Sequence, residues 1–118
     1  MRRLADLTLL VLLAGLAACS PSHTASVSNP SEPTIIKLAV TEPEKQVVSL
    51  QIQGTGSIDG SAEIALMLDG KAYRSEQLKG LVSFTWAGDW YSPSAEIHYR
   101  PSKVQGGKLE LQYRFGTL

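Results

Sequence analysis

Apolar side chains recur along this chain with a period of two. Val48, Leu50 and Ile52 alternate with Ser49, Gln51 and Gln53, and Leu109, Leu111, Tyr113 and Phe115 alternate with Glu110, Gln112 and Arg114. Val82, Phe84 and Trp86 repeat the pattern, as do Ile64, Leu66 and Leu68, then Ile97 and Tyr99. Successive side chains of a strand point to opposite faces, so each run has one face for a core and one for water. A further strand starts near Thr34 with Ile35, Ile36, Leu38 and Val40, and Thr41-Glu42-Pro43 ends it. No helical period accompanies these runs. About seven short strands over residues 34–118 imply an all-β fold, a small antiparallel β-sandwich with immunoglobulin-like topology, with a small β-barrel as the alternative.

Turn chemistry places the hairpins. Asp59-Gly60, Asp69-Gly70 and Gly88-Asp89 each suit a two-residue turn. Across Asp69-Gly70 the register sets Leu66 opposite Tyr73. Across Gly88-Asp89 it sets Trp86 opposite Tyr91, Phe84 opposite Pro93 and Val82 opposite Ala95, one continuous apolar face. This register assigns Trp86 and Tyr91 to the core and leaves Trp90 exposed beside the turn, with Asp89 as a turn residue. Across Asp59-Gly60 the two apolar faces disagree, because Ile52 falls opposite Met67 and Gln53 opposite Leu66. A bulge near Gly54 or Gly56, or a wider loop, is needed to reset the phase.

The first residues have a different character. Arg2 and Arg3 precede an apolar run from Leu7 to Ala18, too short for the ~20 residues a membrane-spanning helix needs. Basic start, apolar middle and small residues before Cys19 make the layout of a secretory signal. Leu16, Ala17, Ala18 and Cys19 resemble the cleavage box of bacterial lipoproteins. That resemblance covers residues 1–19 and implies removal of 1–18, a diacylglyceryl group on the Cys19 thiol and a membrane attachment through the N-terminal lipid. Each buried methylene contributes about 0.8 kcal/mol, so two or three acyl chains hold stably. Cys19 is the single cysteine of the chain, so no internal disulfide can form, and lipidation accounts for an otherwise odd thiol. With Ser20 following it, the same resemblance implies an outer-membrane anchor facing the periplasm. Residues 19–33, rich in Ser and Pro, read as the lipidated cysteine and a flexible tether with a reach of ~45 Å; His23 within it reads as a solvated side chain.

Charge and residue inventory narrow the function classes. Without Arg2 and Arg3 nine of the eleven basic residues remain, and without Asp6 ten of the eleven acidic ones. A near-neutral domain lacks the basic footprint of a nucleic-acid binder. One histidine, His98, lies beyond the tether, set beside Glu96 and Arg100 on an outer face, and a zinc site would need an all-carboxylate set. A serine nucleophile would find only scattered lysines as base, and Glu63, Glu76, Glu96 and Glu110 fit the wet faces of amphipathic strands. The sequence therefore points away from an enzyme and from any cofactor. It points to a binding module of the cell envelope whose partner is another envelope protein or, alternatively, a glycan such as peptidoglycan. Trp90, flanked by Asp89 and Tyr91, is the candidate contact residue, since an exposed indole offers a rigid apolar surface and one donor.

Overall fold

The computed structural model describes residues 22–118. The cleavage box Leu16, Ala17, Ala18 and the lipid acceptor Cys19 lie outside the described residues. Six strands make up the described fold: β1 (His23–Val27), β2 (Thr34–Ala39), β3 (Val47–Leu68), β4 (Lys71–Asp89), β5 (Ser94–Pro101) and β6 (Gly107–Thr117). All pairings are antiparallel. The fold is thus all-β and antiparallel as expected, with five strands rather than about seven over residues 34–118 and a sixth, β1, before them.

β3 organises the sheet. One of its edges pairs with β6 over its first half, Val47 to Ile58, and with β5 over its second, Ala62 to Met67. Its other edge pairs with β4 along the whole length. β1 extends the sheet beyond β6, and β2 extends it beyond β5. The β3–β4 ribbon doubles back between Ile58 and Ser61, where the register with β4 shifts. Arg74, near the start of β4, consequently reaches the Ala87 carbonyl near its end, at 3.5 Å. Two layers result, both built on β3 and β4: one adds β6 and β1, the other β5 and β2.

The fold line explains Asp59-Gly60, which closes no hairpin and lies inside a single 22-residue strand. Gly60 has φ +135°, and a Cβ there would collide with the Lys103 carbonyl. The loop between β5 and β6 clamps the bend: Asp59 N–H donates to Gly106 O, Gln105 N–H to Asp59 O, and Ser102 N–H to Ser61 O, each within 2.9 Å. Ile52 accordingly faces Trp86 and Tyr113 rather than Met67. The phase conflict disappears because the residues assigned to two hairpin arms belong to one bent strand.

The expected hairpin at Asp69-Gly70 is present, with φ of 53° and 78° at the two turn residues. Its register differs from the expected one: a shift between Leu66 and Met67 places Leu66 opposite Arg74 and leaves Tyr73 as the extra residue. Part of the stretch expected to be a flexible tether is a strand. His23 to Val27 pair with Tyr113 to Leu109, Val27 is buried, and His23 is half-buried against the Tyr113 ring at 5.6 Å. A five-residue polar segment has little drive to order alone; pairing with β6 satisfies its backbone and gives Val27 a core to enter.

The core lies between the layers. Leu50, Ile52, Val82, Phe84, Trp86, Leu109 and Leu111 come from one layer, and Leu38, Ile64, Leu66, Ala95, Ile97 and Tyr99 from the other. Phe84 sits opposite Gly54, and a Cβ on that glycine would overlap its ring. The flat strand surface left by the glycine is what the aromatic ring covers.

Candidate functional site

The end of the sandwich that carries Trp90 differs from the sequence expectation. β4 continues through Gly88 to Asp89, which pairs with Ser49, so Gly88-Asp89 makes no turn. β5 does not pair with β4 at all; it lies between β3 and β2. Residues 90–93 cross from one layer to the other, and this crossing exchanges the roles of two aromatics. Trp90 is 5% exposed, and Tyr91, assigned to the core, is 72% exposed.

Trp90 closes the core at this end. Its backbone N–H donates to Val48 O at 3.2 Å, and its indole Nε1–H donates to Ser94 O at 3.0 Å. The ring lies 6.3 Å from that of Tyr73 and lines a narrow gap with Leu50, Leu66 and Trp86. Both polar and apolar parts of the side chain are therefore used internally. Asp89 and Tyr91 remain on the surface beside it. A shallow groove of about 400 Å³ runs from Trp90 past Ser92 and Ser94 to Lys37, Glu96 and the tip of the β3–β4 hairpin. Leu68, 42% exposed, and Tyr73, 50% exposed, stand on that hairpin. Arg74 packs over the Tyr73 ring, 5.7 Å from its centroid.

Among the described residues the longest open edge belongs to β4, which pairs with β3 alone. Its two halves are unlike. From Lys71 to Lys79 the edge carries Lys71, Arg74, Glu76 and Lys79, the charges that commonly discourage another strand from adding. From Leu81 to Gly88 there is no charge and no proline. Val82, Phe84 and Trp86 point into the core, while Leu81, Ser83, Thr85 and Ala87 point out, Leu81 at 88% exposure. The other two outer strands, β1 and β2, are only five and six residues long. This unprotected edge was not legible in the sequence, because the supposed hairpin at Gly88-Asp89 would have covered it with β5.

The remaining candidates sit on outer faces. His98 Nε2 lies 2.9 Å from Glu96 Oε1, and Gln77 donates to Glu63 at 3.4 Å, both on the β5 layer. Glu110 is on the other layer, opposite Thr55 and Ser26. Glu63, Glu76, Glu96 and Glu110 are thus spread over both layers. Among the described residues no three of His, Cys, Asp and Glu gather as a metal-ligand set. Tyr99 has its pKa raised by burial of the phenol.

No family model matches the chain, and no curated protein matches it. Solved structures do. A crystal structure of PirA superposes with a TM-score of 0.51 at 12% identity, covering 80% of this chain and 93% of that one. A CBM4 structure gives 0.40 at 9% identity over 89% and 83% of the two chains. The carbohydrate-binding module CBM36, solved with calcium and xylotriose, gives 0.37 at 12% identity over 83% and 94%. At these identities the PirA match establishes a shared β-fold and nothing about chemistry.

Proposed function

We propose that the chain is a lipid-anchored, non-catalytic module of the cell envelope that docks another envelope protein along the outer edge of β4. The observation that carries this is the contrast within one edge strand: Lys71 to Lys79 is charged, and Leu81 to Gly88 is not. An extended segment that adds to such an edge gains main-chain hydrogen bonds, and alternate side chains set its identity. The partner segment expected here is uncharged on the face that meets Leu81, Ser83, Thr85 and Ala87. The anchor supports this reading, since lipidation at Cys19 would confine the module near membrane partners and raise its effective concentration.

A photo-reactive phenylalanine analogue in place of Ser83, in intact cells, should capture one defined protein. The same probe at Gln53, on the outer face of the layer, should not. Thr85→Lys should abolish the capture while leaving the far-UV dichroism unchanged. Recovery of the uncrosslinked chain alone would overturn the reading. The glycan alternative now rests on Tyr73, Tyr91 and the groove toward Lys37 and Glu96, since Trp90 is buried. Retention on peptidoglycan that is lost in Tyr91→Ala would replace protein docking with sugar binding.

A further inference from the structure

The N-terminal side of β1 and the Trp90 end of the sandwich lie at the same pole of the molecule. His23 is level with Tyr113, Ile52 and Trp86, and stepping back from His23 to Ser22 moves toward Gln51 and Arg114, which share a small depression with Ser22. Further along the same direction come Leu50 opposite Gly88, Ser49 opposite Asp89, and then Trp90, bonded to Val48. The ribbon is doubled, so the β3–β4 hairpin tip returns to this pole: Leu68, Asp69 and Gly70 line the groove that also contains Trp90. The opposite pole holds the bend at Asp59-Gly60 and the β5–β6 loop.

Cys19 precedes His23 by four positions, a separation that spans at most ~13 Å of extended chain. The ~45 Å stand-off expected from an unstructured tether is therefore out of reach once β1 is in the sheet. On the reading of Cys19 as the lipid acceptor, we infer that the Trp90 pole rests against the bilayer surface, with Tyr91, Tyr73 and Leu68 at the headgroup level. Three of the exposed large apolar side chains are at this pole. Tyrosine suits an interface in which the ring is in an apolar layer and the hydroxyl in a wet one. Charge does not drive the contact, because Lys37, Lys45, Lys71, Arg74 and Arg114 at this pole are matched in number by Glu42, Glu44, Asp69, Asp89 and Glu96. The contact sets orientation: both halves of β4 rise from the membrane toward the bend at Asp59-Gly60, and the uncharged edge, Leu81 to Gly88, faces sideways into the periplasmic space.

The test uses the lipidated full chain in vesicles of phosphatidylethanolamine and phosphatidylglycerol, a fraction of the lipids carrying nitroxide on the upper acyl chain. An environment-sensitive fluorophore is placed on Tyr91→Cys or, at the opposite pole, on Lys103→Cys, both exposed positions. Position 91 should be quenched several-fold more than position 103. Equal quenching, or stronger quenching at 103, would overturn the orientation. Vesicle flotation and the mass of the mature N-terminus read the anchor separately. A chain that floats with position 91 unquenched defeats the orientation alone; one that does not float defeats the anchor and the orientation with it.

Discussion

The Tyr99 hydroxyl donates a 2.6 Å hydrogen bond to the carbonyl of Pro30, a residue 69 positions earlier. It fastens the connection between β1 and β2 to the C-terminal half of β5. Tyr99 is almost wholly buried, so the Pro30 carbonyl has this donor in place of water. Tyr99→Phe keeps the ring packing and removes the donor. Leaving a buried acceptor unpaired costs roughly 1–3 kcal/mol, and in a domain of this size 1 kcal/mol corresponds to about 4–8 °C in Tm. Urea unfolding of the variant should show a lower midpoint with an unchanged slope.

The same phenol predicts an alkaline limit. Burial raises its pKa above the ordinary value of 10.0, so the unfolded chain releases this proton before the folded one does. Stability is then full below pH 10 and falls as pH rises through the raised value. Tyr99→Phe should flatten that decline relative to wild type when denaturation is followed from pH 9 to pH 11. An identical slope in both proteins would assign the alkaline loss to other groups.

Gly54 and Phe84 form a pair that substitution can test from either side. Gly54→Ala places a methyl into the Phe84 ring, which also packs 4.7 Å from Trp86. Overpacking of this kind costs about 1–3 kcal/mol. Phe84→Leu removes part of the obstruction, so the double variant should be less destabilised than the two single losses added together. Additive losses would mean that the two residues do not meet.

Trp90 offers a spectroscopic check on its burial. With Trp86 at 4% and Trp90 at 5% exposure, both indoles are sheltered. Native fluorescence should be blue-shifted and poorly quenched by iodide, and unfolding should restore full quenching. Trp90→Ala should destabilise by about 3–5 kcal/mol, as large core deletions do, whereas Tyr91→Ala should change stability by less than about 0.5 kcal/mol. The reverse ranking would restore the exposed tryptophan that hairpin pairing suggested.

Legibility followed the range of the interaction. The strands around Leu50, Phe84, Ile97 and Leu111 were readable because a period of two depends only on neighbouring residues. Asp69-Gly70 was readable as a turn because its two positive φ values are a local property. Asp59-Gly60 and Gly88-Asp89 have equally good turn chemistry and form no turn, since in each case a distant part of the chain takes up the backbone hydrogen bonds. For Asp59-Gly60 the deciding groups are the carbonyls and amides of residues 102–106; for Gly88-Asp89 it is β3 at Leu50 and Ser49. Register errors then propagated, because a wrong partner strand reassigns which aromatic is covered.

The all-β class, the inward faces of most strands and the expectation of a lipid on Cys19 were therefore readable from residue order alone. Those follow from side-chain periodicity, composition and a short motif. That β3 and β4 are single strands shared by two layers, that His23 to Val27 belong to the sheet, and that Trp90 is inside with Tyr91 outside emerged from the folded arrangement. Each of those depends on which strands pair, and pairing is settled by long-range burial and backbone hydrogen bonds that no local window of sequence contains.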